Sequence, residues 1–472
     1  MQEEIVSNFK NFRDEIYDYF THRQDAALDL LDALSGNTAA RSVVDLSLNP
    51  LNRRNYCSIT RVVSEFYKNV SSTQNKHDEL IKIISGHCPK LQSRPYHLFG
   101  VDCTANPRPF SPTQEDRGFV YSPAGVASKK PITIGHQYSL AAYLPEKTKG
   151  DPPWIIPIAC DRVSTQEKGT LVGLHQINRC LLQKAFADKL CVSVVDSLYS
   201  NPESLSFMSP QKNHVLIARL RGNRVLYLPP DPQDHKTGRP KRFGKKFKLK
   251  EAESWPEPSE KKLLNDRNAR GEDFQIQIES WDRVLMRGKK TADLSSTTMR
   301  LIKIVYLRPG SEEPLFQKPL WLIIHGERRH ELSLEDIFTA YRQRFDLEHF
   351  FRFGKNNLLM DQFKTSDIQH EEAWWQLVLI SYLQLYLSKE LAVNMPKPWE
   401  RYLSAFKTDT KISPTQVQKS FSKIIQGIGT PAKILKGHRK ARGRKKGELQ
   451  IKRTRHPVIV KKKIAQPAVL QV

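Results

Sequence analysis

Residues 341–355 read YRQRFDLEHFFRFGK, and four polar side chains recur along them at helical spacing. Tyr341, Arg344, Glu348 and Lys355 are separated by three, four and seven positions. A helix advances about 100° per residue, so one continuous helix would hold these side chains within a wedge of roughly 60°. The two cations are suited to gripping phosphates, and the carboxylate is suited to presenting an acid to a metal ion. The spacing therefore predicts a functional helix face.

A solvated helix with an ion pair between Arg344 and Glu348 would produce part of the same pattern. The helix is also covered by apolar residues on several sides, namely Phe345, Leu347, Phe350, Phe351 and Phe353. That is more apolar cover than a free surface helix needs, which favours a packed helix with one functional stripe. Asp346 competes with Glu348 as the acid, but helical geometry places it about 160° away.

The order Tyr-x2-Arg-x3-Glu-x6-Lys resembles the signature of IS4-type DDE transposases, which are insertion-sequence enzymes. The surrounding stretch RFDLEHFFRFGKNNLLMDQF is similar to the family's Arg-aromatic-x-aliphatic-Glu-x-x-Phe-x-x-x-Lys pattern, and the four signature positions match without gaps. The resemblance implies an RNase H-like catalytic core and two further aspartates upstream, each at the end of a buried strand. It also implies a homodimer acting on paired DNA ends.

Composition points to a polyanionic partner. The chain has 472 residues, a formal net charge of +25 and a pI near 9.7. So large a positive excess supplies sequence-independent affinity for a phosphate backbone, so double-stranded DNA is the expected partner. The sequence has no apolar run of transmembrane length, and its charged N-terminus lacks the apolar core of a signal peptide. We therefore expect a cytoplasmic, nucleoid-associated protein with no membrane partner.

The cysteines do not suggest a metal site. All six lie in the first half of the chain, and no two form a CxxC motif. His87 and Cys88 form a lone pair without a matching second half. Buried thiols are therefore favoured over zinc ligands or disulfides.

Residues 96–197 predict the catalytic core. YHLFGVDCT, ITIGHQYSLAAYL and WIIPIACDRV are typical of three strands, LVGLHQINRCLLQKAFADK of a helix, and LCVSVVDS of a buried parallel strand. That order is typical of an RNase H-like fold, although other α/β folds can begin in the same way. We interpret the fold class as α/β: an RNase H-like core interrupted by a β-rich insertion, with a helical N-terminal domain and a basic C-terminal tail.

Three carboxylates form the candidate catalytic and metal site. Asp102 ends the first predicted strand and Asp196 ends the fourth, and these strands are neighbours in an RNase H-like sheet. An aspartate at a strand end is common because it starts turns. Asp161 also competes because it ends the third strand, although that is the wrong strand for the resembled site. We therefore predict a triad of Asp102, Asp196 and Glu348.

Carboxylate oxygens are the ligands that hard divalent cations prefer, so the predicted cofactor is Mg²⁺, as two ions, with Mn²⁺ possible. Phosphodiester cleavage and strand transfer by such a site need no covalent protein nucleophile. Tyr341 is accordingly interpreted, with Arg344 and Lys355, as a DNA contact.

The region between Asp196 and Glu348 predicts a β-rich insertion. NHVLIARLRGNRVLYLPP is typical of a hairpin turning at Gly222-Asn223, and a basic stretch with interleaved aromatics follows it. A backbone-tracking surface and a solvated loop both fit that stretch. The predicted DNA contacts here are Arg242, Lys245 and Lys246, and Arg239, Lys241 and Lys248 belong to the same stretch. Trp321, before the signature helix, is a further candidate because related hairpin-forming enzymes stack an aromatic on an extruded base, although core burial also fits it.

Five segments are predicted: residues 1–92 as a helical N-terminal DNA-binding region, 93–210 as the first part of the core, 211–315 as the β-rich insertion, 316–395 as the second part of the core, and 396–472 as a C-terminal helix and basic tail. Ordinary core packing fits the N-terminal helices equally well. Residues 436–463 are dense in Lys and Arg, which is typical of a segment that pairs with nucleic acid.

The sequence therefore predicts a transposase that nicks transposon ends and joins the 3′-hydroxyls to target DNA. Two other functions fit the sequence less well. One is a transposase-derived DNA-binding protein that no longer cuts, and the other is an RNase H-like nuclease or resolvase without strand transfer.

Overall fold

The computed structural model describes residues 2–121, 131–231, 241–268, 271–393, 399, 412–433, 435 and 454–460. The chain begins with helices α1 (Gln2–Tyr19), α2 (Gln24–Ser35), α3 (Val43–Leu46), α4 (Tyr56–Glu65) and α5 (Thr73–Gly86). Ser42, Asn55 and Ser72 cap three of them by accepting a backbone N–H, which explains where these helices begin. The sequence did not decide whether the N-terminal helices bind DNA through residues such as Ile59 and Val62 or bury them in the core. Both side chains are buried.

A mixed sheet forms the centre of the molecule. Its first strands are β1 (Tyr96–Pro107), β2 (Gly118–Tyr121), β3 (Ile132–Tyr143), β4 (Ile156–Val163), β5 (Leu190–Val195) and β6 (His214–Leu220). The core runs β4–β3–β1–β5–β6, with β3 antiparallel to β1 and β4, and with β5 parallel to both β1 and β6. This mixed α/β arrangement is consistent with an RNase H-like DDE fold. The short strand β2, which pairs with β3, was not predicted.

The same sheet continues beyond β6. Strands β9 (Glu260–Arg267), β10 (Asp273–Val284), β11 (Met299–Leu307) and β12 (Leu320–His325) extend it in the order β6–β12–β11–β10–β9, giving ten strands in the described residues. The predicted hairpin at Gly222-Asn223 is wrong. Strand β6 pairs with β5 and β12, so both of its edges are occupied, and β7 (Val225–Tyr227) pairs instead with β8 (Lys246–Lys248).

The remaining helices are α6 (Gly169–Leu181), α7 (Pro202–Met208), α8 (Leu334–Gln343), α9 (Asp346–Asn357), α10 (Ile368–Leu387) and α11 (Pro414–Ile428). Helix α10 is buried along nearly its whole length. Ser333 caps α8 in a capping box with Asp336.

The signature segment is not one helix. Helix α8 ends at Gln343 and α9 begins at Asp346, so Arg344 and Phe345 form a joint between them. Backbone N–H groups at the joint bond three residues back, from Arg344 to Tyr341 and from Glu348 to Phe345, which tightens the chain there. The expectation of one continuous helix is therefore wrong, because the four polar residues stand on two helices and the turn between them.

A buried carboxylate ties α10 to the sheet. Glu371 accepts hydrogen bonds from Arg108, Gln114, His136 and Tyr138, at 2.7–2.9 Å. Two of these partners are on β3, and the other two are in the loop between β1 and β2. Glu371 therefore fixes α10 against the strands that carry the site.

Part of the C-terminal segment lies on that same loop. The backbone N–H of His456 donates to Pro112 O and that of Ile459 to Arg117 O, both at 2.8 Å. Most of the predicted basic tail, residues 436–453 and 461–463, lies outside the described residues, as does Arg239. No helix in the described ranges is long and apolar enough to cross a membrane.

Candidate active site

Asp102 and Asp196 lie side by side on neighbouring parallel strands. Gly100 of β1 pairs with Val194 of β5, so the residues two positions further on, Asp102 and Asp196, correspond across the two strands. Residues at alternate positions of a strand share one face of the sheet. Asp102 does not end its strand as predicted, because β1 continues to Pro107 along β3. It lies just beyond the last pair between β1 and β5, where these strands part.

Glu348 is brought to Asp102 by α9, and Arg344 joins the two. Arg344 Nη1 donates to Asp102 Oδ2 at 3.0 Å, and Arg344 Nη2 lies 3.4 Å from Glu348 Oε1. Helix α9 packs closely on β1 at Gly100, where a Cβ would lie 2.8 Å from Leu347 Cδ1. Arg344, at the joint before α9, lies between the first acid and the third.

Asp102 lies near other negatively charged side chains, and this affects its pKa. Burial raises the pKa of Asp102 above its ordinary value, and the neighbouring carboxylates of Asp196 and Glu348 raise it further. The Arg344 guanidinium opposes this rise. For Arg344 itself, burial would lower the pKa, but Asp102 and Glu348 hold it above its usual range. The arginine is thus the positive charge that stabilises the acid group in this structure.

The donor set suits a hard divalent cation. Asp102, Asp196 and Glu348 offer carboxylate oxygens, which Mg²⁺ and Mn²⁺ prefer over imidazole or thiolate. Each of the three remains partly accessible. Among the described residues, no three such groups are close enough together to hold an ion as they stand. Arg344 occupies the position between two of the acids, so the chemistry of the site fits a metal while its present geometry is that of an arginine-bridged site.

Comparison with known proteins places the chain in a family. A sequence model described as DDE superfamily endonuclease matches residues 15–286, which is more than half of the chain. The chain belongs to the DDE superfamily endonucleases. The match includes Asp102 and Asp196 and ends before Glu348. No curated protein matches the chain. DDE superfamily nucleases generally use divalent metal ions, and the family supports a transposase-like nuclease.

The other signature residues of this DDE endonuclease lie around the acids in different ways. Tyr341, at the end of α8, is 9% exposed, and burial raises its pKa although Arg344 and Arg219 oppose that rise. Lys355 lies further along α9. Its Nζ donates to Thr104 Oγ1 at 2.8 Å and to Ala105 O at 2.9 Å, and burial lowers its pKa. Lys355 is therefore hydrogen-bonded to the part of β1 that follows Asp102, whereas Tyr341 lies near Arg219.

Arg219 is a residue that the sequence reasoning missed. Val195 of β5 pairs with Ala218 of β6, so Arg219 stands beside Asp196 as the next member of the row that begins with Asp102. Its side chain is exposed, and within the described part of the chain it makes no hydrogen bond or salt bridge. The sequence did contain a signal for Arg219, because it is the one arginine in the otherwise buried run HVLIARL. Arginine is rarely placed on a central strand, so a functional role could have been predicted from it.

A cavity of about 930 Å³ opens next to this row. Its lining includes Arg219, Tyr341 and Arg344, which neighbour the acids, and the aromatic residues Tyr306 and Phe338. Two other cations of the lining are neutralised, since Lys147 pairs with Asp346 and Arg342 pairs with Asp266. The cavity therefore has both apolar and positively charged lining.

The two competing aspartates take structural roles. Asp161 bonds to His77 Nδ1 and to Arg179 at 2.9 Å and to Gln176 at 2.7 Å. Burial alone would raise the pKa of Asp161, but these partners lower it to about 2. Asp346 is buried and pairs with Lys147, which agrees with its predicted position away from Glu348. Each of the two carboxylates is therefore paired with a cation of its own.

The predicted DNA contacts outside the signature differ in exposure. Trp321 on β12 is 2% exposed and packs among Phe247, Trp255 and Trp281, so its ring offers no free face for a base in this structure. Arg242, Lys245 and Lys246 are exposed, and Arg242 lies 3.3 Å from Asp293. A role in binding DNA stays a prediction for these three cations.

Proposed function

We propose that this DDE endonuclease is an IS4-type transposase that nicks transposon ends and joins the freed 3′-hydroxyls to target DNA. The observation that carries the proposal is the placement of Asp102 beside Asp196 with Arg344 linking Asp102 to Glu348. In this proposal the three acids, which come from β1, the end of β5 and α9, form one site in the order that the signature implies.

In this proposal Asp102, Asp196 and Glu348 hold two Mg²⁺ ions, and Mn²⁺ can replace them. Bound ions of this kind activate a water or a 3′-hydroxyl and stabilise the leaving oxygen of an in-line displacement. The burial of Asp102 places one ligand in a region of low dielectric, where its charge interacts strongly with a cation. Arg344 would exchange part of its contact with the acids for a phosphate oxygen.

The cations around the acids would position DNA. Arg219 is exposed and unpaired in the described structure, so it can bind a phosphate without breaking another contact. Tyr341 and Arg344 lie on the same side as Arg219, and Lys355 lies along β1 on the far side of Asp102. A strand bound between them would have its scissile phosphate over the acids.

Double-stranded DNA is the proposed partner, and a homodimer on paired ends is proposed by analogy with the resembled family. The net charge of +25 supports the first of these. Exposed Arg242, Lys245 and Lys246 would contact the backbone away from the acids. The arginine-bridged geometry of the acids favours, as the second candidate, a transposase-derived protein that binds DNA without cutting it.

The test is a cleavage and strand-transfer assay on DNA carrying the element's own ends, with Mg²⁺ and then Mn²⁺. Wild type is compared with Glu348→Gln, and with Glu335→Gln as the control, because Glu335 is an exposed acid on neighbouring α8. We expect Glu348→Gln to abolish nicking while end binding persists, and Glu335→Gln to cut normally. Nicking without joining would indicate a nuclease or resolvase. Binding without cutting by wild type in either metal would indicate the non-cutting protein.

A further inference from the structure

A second cluster of cations lies away from the acids, on a turn between β10 and β11. Residues 286–294 read MRGKKTADL and place Arg287, Lys289 and Lys290 within four positions. All three side chains are exposed. Together with Arg242 and Asp293 they line a groove of about 490 Å³. Four cations thus surround one carboxylate.

The turn is held tightly by its backbone. Lys289 and Ala292 exchange two backbone hydrogen bonds, at 3.1 and 3.0 Å. Met286 and Leu294 anchor its two ends in the core at 4% and 1% exposure. A Cβ at position 288 would lie 2.1 Å from Ala292 O, so only glycine lets this turn close. The cations are therefore presented on a fixed backbone, which reduces the entropy lost when they bind a ligand.

The cluster is connected to the catalytic edge through Glu203. Its carboxylate lies 2.9 Å from Lys289 Nζ and 3.0 Å from Lys168 Nζ. Glu203 is on α7, the helix that follows Asp196, and Lys168 precedes α6. A Cβ at the next residue, Gly169, would lie 3.2 Å from Sγ of the cysteine that follows Asp102, so the start of α6 packs on the face of β1 opposite the Asp102 side chain. A line of cations therefore runs from the start of α6, behind the strand that carries Asp102, to the turn, with one carboxylate between two of them.

The charges along this line are not balanced. Within the described residues, Arg287 and Lys290 make no hydrogen bond or salt bridge, whereas Lys289 and Lys168 share the single charge of Glu203. Fixed, unpaired cations at a groove are suited to phosphate oxygens spaced along a backbone. A protein partner would have to supply several carboxylates here, whereas a duplex presents regularly spaced phosphates to any groove of this kind.

We propose that Arg287, Lys289, Lys290 and Arg242 form a phosphate-binding track for duplex DNA that leads away from the acid site, and that Glu203 occupies Lys168 and Lys289 until DNA displaces it. The track rests on the proposed function, because it binds the same DNA molecule that the acid site is proposed to cut. It adds residues and a competing carboxylate that the acid site does not contain.

The track is tested by the salt dependence of binding to a 40-base-pair duplex of arbitrary sequence. Removing one phosphate-binding cation reduces the slope of log K against log salt by about 0.9, so Arg287→Gln/Lys290→Gln should reduce it by about 1.8. The control is Lys212→Gln/Lys318→Gln, which removes the same charge at exposed positions outside the groove. An equal reduction in both double variants would overturn the track, because net charge alone would then explain binding.

Glu203→Gln provides the second arm. Releasing Lys168 and Lys289 should tighten binding at low salt on the order of threefold and should steepen the slope. Weaker or unchanged binding would overturn the role given to Glu203. The same proteins are assayed for Mg²⁺-dependent cutting of end DNA. Cutting by wild type with no change of slope in the groove variant would overturn the track alone, whereas the expected slopes without any cutting would overturn the proposed function alone.

Discussion

Arg344 donates a hydrogen bond to Asp102 at 3.0 Å, across 242 positions of sequence. The pair is largely protected from solvent, with side-chain exposures of 15% and 24%. Because burial and two neighbouring acids all raise the pKa of Asp102, this arginine offsets a repulsion that the site would otherwise carry. The contact also fixes the joint between α8 and α9 against β1, so the electrostatics and the geometry of the acids depend on one side chain.

Replacing Arg344 with Gln is expected to lower the free energy of unfolding by about 1–2 kcal/mol, which is less than for a fully buried pair because solvent reaches both partners. End cleavage should fall at least tenfold, since one guanidinium aligns two acids. Urea unfolding and single-turnover cleavage measure the two effects. Arg352→Gln, which changes an exposed arginine on α9, should change neither. Normal cleavage by the Arg344 variant would refute its role.

Replacing Arg219 with Gln should weaken binding to end DNA and slow cleavage without changing stability. The side chain is exposed and, in the described structure, bonds to nothing, so folding gains little from it. Losing one charge-assisted phosphate contact costs about 1.5–3 kcal/mol, or roughly tenfold to a hundredfold in affinity. Fluorescence anisotropy with end DNA measures the loss. Lys212→Gln, near the opposite end of the same strand, serves as the control, and equal losses in both would argue against a site-specific contact.

Lys355 is predicted to act on the fold as well as on DNA. Lys355→Met removes two hydrogen bonds to β1 and leaves Ala105 O without its lysine partner, so the free energy of unfolding should fall by about 1–3 kcal/mol. Thermal unfolding in the absence of DNA measures this. Lys364→Met is the comparison, because that exposed lysine bonds to a single carbonyl. Unchanged stability with abolished cleavage would assign Lys355 to DNA binding alone.

Glu371 should make the protein sensitive to acid. Burial alone would raise the pKa of Glu371, but His136, Arg108 and Gln114 lower it from 4.5 to about 2. A lowered pKa in the folded state contributes stability that is fully present above pH 4.5 and is lost as the pH falls towards 2. Wild type should lose stability over that window, by an amount on the order of 3 kcal/mol from this group. Urea midpoints measured from about pH 5 down to about pH 2.5 report the loss.

In Glu371→Gln the corresponding part of the pH dependence should disappear, and the protein should be less stable at neutral pH because the buried Arg108 loses its counter-charge. Glu335→Gln, at an exposed position, should keep the wild-type profile. A Glu371 variant whose stability falls with acid as steeply as wild type would show that other groups dominate.

Local patterns were sufficient for the strands that carry the first two acids. The apolar runs around Asp102 and Asp196 predicted β1 and β5 as strands, and the RNase H-like fold implied that they are neighbours. The structure pairs them in parallel. The periodicity of residues 341–355 predicted helix but not the joint at Arg344. A tightened turn with bonds three residues back keeps nearly the same residue spacing, so the amino-acid pattern does not reveal it.

The pairing of strands that are far apart in the sequence could not be predicted from local patterns. Gly222-Asn223 is a strong turn signal, yet β6 pairs with β5 and β12, whose residues are not the ones that follow this turn. Arg219 was missed for the same reason, because its place beside Asp196 depends on a register between strands. The burial of Trp321 followed from an aromatic cluster assembled by β8, β10 and β12, which no single segment displays.

The continuity of the sheet has a consequence for engineering a minimal enzyme. Strands β9 to β11 are hydrogen-bonded onto β12, whose residues from Trp321 to His325 are all buried. Deleting residues 221–315 as a separable segment would leave β12 paired only with β6, so its other edge would be exposed and apolar. Exposed edges of this kind recruit other chains, so the shortened protein is expected to aggregate rather than to fold as a smaller nuclease.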